Sequence, residues 1–144
     1  MWGFIIAIIS GTLMSVQGVF NTGVMKQTSV WITAGFVQAT ALLVCIVAWF
    51  LTGKESGVLA LFKIDHKYML LGGLMGAFIT ITVIQSIKTL GPARSALLIV
   101  VSQLLVAYLI ELFGIFGVEK VPFDMRKLIG FLVTVAGVIV FKWK

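Results

Sequence analysis

Residues 90–144 read LGPARSALLIVVSQLLVAYLIELFGIFGVEKVPFDMRKLIGFLVTVAGVIVFKWK, and this stretch decides the fold. Gly91-Pro92 breaks the chain, and Arg94 leads into an apolar run from Ser95 to Val118 whose only charge is Glu111. A short connection follows with Glu119, Lys120, Asp124, Arg126 and Lys127. A second apolar run then carries Gly130 and Gly137, seven residues apart, and closes on Lys142 and Lys144. About 20 apolar residues at 1.5 Å each cross the hydrocarbon of a bilayer, so both runs read as membrane-spanning helices.

The rest of the chain follows the same pattern. Of 144 residues, 60% are hydrophobic and 11% charged, against about 25% charged in a soluble domain. Residues 1–25, 27–53 and 68–87 contain no charged side chain. A soluble helix bundle needs a polar stripe on each helix, and these stretches offer none. The expected architecture is therefore all-α: an integral membrane protein with one five-helix transmembrane domain over residues 1–144. Its spans are about 2–24, 30–51, 68–89, 94–117 and 125–141. The fifth has the shortest charge-free core, Leu128–Val140, and reaches spanning length if Lys127 and Lys142 snorkel. The N-terminus lacks the basic region that opens a signal peptide, so it reads as an uncleaved first span.

The connections are short except for residues 52–67, where an apolar patch, Val58–Phe62, sits among charges and reads as an interfacial turn lying on the bilayer. His66, the single histidine, reads as a solvated loop residue beside Asp65 and Lys67. Cys45, the single cysteine, excludes an intrachain disulfide. The net charge of +6 does not point to nucleic acid, because the basic residues stand at span ends, where they anchor to headgroups.

Five spans place the termini on opposite sides. Lys54, Lys63, Lys67, Lys120, Arg126 and Lys127 then lie on the N-terminal side, and Lys26, Lys88, Arg94, Lys142 and Lys144 on the other. Basic residues favour the cytoplasmic side, so six against five gives little reason to prefer one orientation. A chain that inserts both ways up needs this near-balance; one dominant loop would instead fix a single orientation.

Polar groups at membrane depth need a partner or a wet cavity. The first span spaces Ser10, Met14, Gln17 and Asn21 as one stripe. Beside it runs a small-residue stripe, Gly11, Ser15, Gly18 and Thr22, suited to close helix packing. In the second span Trp31, Gly35, Gln38, Leu42, Cys45 and Trp49 share a face. The third has a close-packing stripe of Gly72, Gly73, Gly76 and Thr80, with Thr82 and Gln85 on another side. In the fourth, Gln103, Ala107 and Glu111 share a quarter of the circumference, with Tyr108 adjacent. The amides either bond helices together, at about 0.6–2 kcal/mol each, or line a polar cavity; as a set they favour the cavity. Glu111 has two readings: a solute- or proton-binding carboxylate, or a structural group bonded to a neighbouring helix or to Arg94 of another subunit. Gly130 and Gly137 share a face and suit close contact between subunits.

The chain resembles the drug/metabolite transporter superfamily, and within it the YdcZ-like family. Lys88-Thr89-Leu90-Gly91-Pro92-Ala93 and the glycine-spaced last span resemble the small multidrug resistance proteins. The closer likeness is carried by Gln17 with Asn21, Gly72-Gly73-x-x-Gly76, Ser102-Gln103, Glu111-Leu112-Phe113-Gly114-Ile115-Phe116-Gly117, and Arg126-Lys127-Leu128-Ile129-Gly130 through Ala136-Gly137. Ten-span relatives, including EamA-type transporters, are inverted repeats of two five-span halves with the solute cavity between them. The resemblance implies that this chain is one half-transporter, completed as an antiparallel pair by a second copy or by a paired five-span relative. It implies a multi-pass location in a bacterial or archaeal inner membrane. Small multidrug proteins carry a glutamate in their first span for cations and protons; here that span offers Gln17 and no acid, which argues against proton-coupled drug export.

Taken together, the expectation is a small-solute transporter working by alternating access as a dual-topology dimer. Gln17, Asn21, Gln38, Gln85, Gln103, Tyr108 and Glu111 are the candidates for a small polar or cationic solute, and Gly130 and Gly137 for the dimer contact. The alternative is a non-transporting membrane scaffold, one half of a heteromeric transporter, or a lipid flippase. No Ser-His-Asp set, metal-ligand spacing or phosphate-binding glycine loop is present, so neither an enzyme, a cofactor nor a metal is expected.

Overall fold

The computed structural model describes residues 1–53 and 57–142. Among the described residues the regular structure is entirely helical. The five long helices are α1 (Trp2–Met25), α2 (Val30–Leu51), α3 (Gly72–Leu90), α4 (Pro92–Phe113) and α5 (Met125–Lys142), with short 3-10 turns at Val58–Lys63, Lys67–Leu71 and Ile115–Gly117. Among the described residues, four stretches are long and apolar enough to cross a membrane: 2–25, 30–51, 67–90 and 92–113. Helix α5 is 18 residues long and carries Arg126, Lys127 and Lys142 within that length. It is a helix where one was expected, but its charges keep it out of the apolar group.

Two boundaries differ from expectation. Helix α4 stops at Phe113 and not near Gly117, because Gly114 adopts a left-handed conformation (φ 65°, ψ 37°) and its N–H returns to the Ile110 carbonyl. A single left-handed glycine satisfying an orphan carbonyl is a common helix stop. The third membrane stretch begins as a 3-10 turn over Lys67–Leu71 and becomes α-helical at Gly72.

The contacts divide the chain into two units, Met1–Thr89 and Leu90 onward. In the first, α1 packs on α2, and α3 closes on α1 through Gly18. A Cβ built there would lie 2.6 Å from Ile87 Cδ1 and 3.4 Å from Val83 Cγ1. Gly18 and Thr22 are buried, whereas Gly11 and Ser15 are open. Only the C-terminal half of the small-residue stripe is therefore used for packing in the monomer. Ser29 caps α2 by accepting the Ile32 N–H at 3.2 Å. In the second unit α4 packs on α5, and the connection is pinned where the Val121 N–H reaches the Glu111 carbonyl at 2.9 Å.

Candidate functional site

Hydroxyls and amides behave differently in these helices. Thr12, Ser15, Thr22, Thr80, Ser102 and Thr134 each donate to the carbonyl four residues earlier, at 2.8–3.0 Å. A short hydroxyl side chain reaches its own helix and needs nothing else in hydrocarbon. The amides of Gln17, Asn21, Gln85 and Gln103 accept and donate no hydrogen bond among the described residues. Each still holds two donors and an acceptor, and without water each group left unmatched is costly.

Gln17 and Asn21 are brought together. They stand four residues apart on α1, hence one above the other, and line a groove of about 570 Å³ against α2. Its walls include Phe20, Val24, Thr33, Phe36, Val37, Thr40 and Cys45. The two threonines are already committed as donors: Thr33 to the Ser29 carbonyl at 2.8 Å, Thr40 to Phe36 and Val37 carbonyls at 3.0 Å. The strong free donors of the groove therefore sit on α1, opposite a largely apolar α2 wall. No charged residue lines it.

Gln38 is placed elsewhere. Its amide donates to Thr80 Oγ1 at 3.4 Å, over Gly76, whose Cβ position lies 3.7 Å from Gln38 Nε2. This amide joins α2 to α3, so Gly76 and Thr80 of the expected stripe are used, while Gly72 and Gly73 face open space. The α2 face read from sequence is thus divided. Gln38 meets α3, Cys45 lines the groove, and Trp49 with Cys45 lines an apolar pocket of about 650 Å³. Ala60, Leu61 and Ile64 close that pocket, which places part of the expected interfacial patch on the end of α2. Gln85 is exposed on α3.

Glu111, Tyr108 and Gln103 belong to α4 in the second unit. Glu111 Oε2 accepts from Lys127 Nζ at 2.8 Å, and both side chains are about four-tenths exposed, at 43% and 42%. The Lys127 ammonium also stands 5.8 Å from the Tyr108 ring centroid. Tyr108 Oη accepts the Asp124 N–H at 3.4 Å. Tyr108 and Glu111 thus tie the end of α4 to the start of α5. Of the two readings of Glu111, the bond to a neighbouring helix is the one with a partner in the structure, and that partner is Lys127. Sequence reading gives Lys127 a place at the membrane interface and in the charge balance, but not a bond to Glu111. Gln103 is exposed. Gly130 and Gly137 have open space where a Cβ would stand.

Several helices of spanning length in one chain are the pattern of a multi-pass membrane protein. Residues 2–140 match the family described as "Putative inner membrane exporter, YdcZ", and the chain belongs to this family, part of the drug/metabolite transporter superfamily. No curated protein and no solved structure gives a match. The family places the chain in the inner membrane as a multi-pass transport protein.

Proposed function

We propose that this chain is half of a small-solute exporter, working by alternating access as an antiparallel dimer of two copies in the bacterial or archaeal inner membrane. The observation that carries the reading is the Gln17–Asn21 pair. Two amides without partners face a groove of ligand size, within the 300–1,000 Å³ usual for small-molecule sites, in a family of exporters. Helix α5 serves as the fifth span, with Lys127 held near the interface by Glu111. Gln85 and Gln103 are further exposed amides available to solute. Gly130 and Gly137 offer an open small-residue face to the second copy, as glycines do where helices approach closely in membranes.

The alternative, a scaffold whose amides only bond helices together, has one observation in its favour: Gln38 does this with Thr80. Replacing Gln17 with leucine separates the two. Under the transporter reading, the Gln17→Leu protein assembles as the parent does and loses most solute flux in proteoliposomes. Lost assembly instead makes Gln17 a helix-bonding group and removes the site.

A further inference from the structure

We infer that the groove between α1 and α2 selects uncharged amphiphiles: solutes with an apolar, ring-sized body and a neutral head that both donates and accepts hydrogen bonds. The inference rests on the reading of this groove as the solute site and adds its chemical class. Every group able to bond a solute there is neutral: the amides of Gln17 and Asn21 donate and accept, Thr40 is limited to accepting, and Thr33 is buried with its hydroxyl held by Ser29 and Thr28. Helices α1, α2 and the α3 residues packed on them carry no acid; the first carboxylate after Met1 is Glu55, beyond the end of α2. The one carboxylate on a long apolar helix, Glu111, is neutralised by Lys127 in the other unit. A cation entering the groove would lose its hydration and meet no counter-charge, which costs several kcal/mol at membrane depth. An anion would meet no ammonium or guanidinium. A carboxamide, by contrast, presents a donor and an acceptor side by side, matching a solute edge of the same kind in two bonds. Phe20 and Phe36 supply apolar faces beside it.

The test uses three molecules of one shape and different charge: benzamide, benzamidinium and benzoate. Each is titrated at neutral pH against full-length protein in nanodiscs, by ligand-observed saturation-transfer NMR, with empty nanodiscs as the partition blank. Saturable benzamide binding is expected, at least about tenfold tighter than either ion, and weakened about tenfold by Gln17→Leu, the loss of one or two hydrogen bonds. Because Gln17→Leu can disturb packing, Gln17→Glu is the second arm: a carboxylate in the groove shifts preference toward benzamidinium. Benzamidinium or benzoate binding as tightly as benzamide to the parent, and weakened by Gln17→Leu, overturns the neutral class and leaves the site standing. Absence of any Gln17-dependent binding overturns both the class and the site.

Discussion

Glu111 was the residue most open to a functional reading, since a lone acid in an apolar run is a functional candidate by default. Its pairing with Lys127, sixteen residues on, gives it a partner at the α4–α5 junction. Both groups are substantially exposed, and exposed pairs contribute little. Glu111→Gln is therefore expected to lower the unfolding temperature slightly and to leave uptake in proteoliposomes within about twofold of the parent. An uptake loss of orders of magnitude in a folded protein would return Glu111 to the transport chemistry. Gly18 makes the opposite kind of prediction. Its Cβ position collides with the tip of Ile87, a flexible side-chain end. Gly18→Ala should cost about 1 kcal/mol or less after Ile87 rotates. Gly18→Leu should cost about 1–3 kcal/mol, as overpacking does, and unfold earlier in detergent by circular dichroism. The Gly18 contact was legible as one member of a small-residue stripe. Which half of the stripe packs was not, because Gly11 and Gly18 look alike until α3 supplies Val83 and Ile87 opposite only one of them.

At the scale of the helix, the stops were less legible than the spans. A window of apolar residues finds α1, α2 and the start of α4 within a few positions, because hydrocarbon demands length and little else. It does not find the end of α4, where apolar residues continue through Phe116 while the backbone has already turned at Gly114. That turn depends on φ 65°, and a Cβ there would also stand 3.2 Å from Lys120 Cβ. Gly114→Ala is expected to cost about 1–2 kcal/mol, the penalty of a left-handed conformation for an L-residue. It should also loosen the Val121–Glu111 backbone bond, read as faster amide exchange at Val121. Unchanged exchange and stability would mean that the connection is not set by this residue. The same limit explains the amides. Spacing put Gln38 on a face with Cys45, but whether an amide bonds a neighbour depends on what that neighbour offers at that height. For Gln38 it is Thr80 over a glycine; for Gln17 and Asn21 it is a wall of phenylalanine and valine.

For the whole molecule the argument turns on what one chain leaves undone. Among the described residues only Gly18, Thr22, Thr33, Ala34, Ile84 and Ser95 are buried, and several amides at spanning depth have no partner. Lipid accepts exposed leucine and phenylalanine without cost, but it does not satisfy Gln85 or Gln103. A second copy that encloses them in a wet, solute-filled cavity can, and the near-equal distribution of basic residues removes the usual obstacle to that copy standing inverted. The orientation of such a chain should be easily tipped. With Lys127 paired to Glu111, the remaining lysines and arginines weigh five against five. Two lysines added between Thr52 and Lys67 then favour one side, and two added after Lys142 favour the other. Reporters fused to the C-terminus, one active only inside the cell and one only outside, should both give signal for the parent chain. Each lysine-biased variant should retain a single reporter and lose transport when expressed alone. Co-expression of the two oppositely biased variants should restore transport. A parent that lights one reporter alone, or a biased variant that transports unaided, would leave the antiparallel pair without support and make the unmatched amides a matter for a parallel assembly.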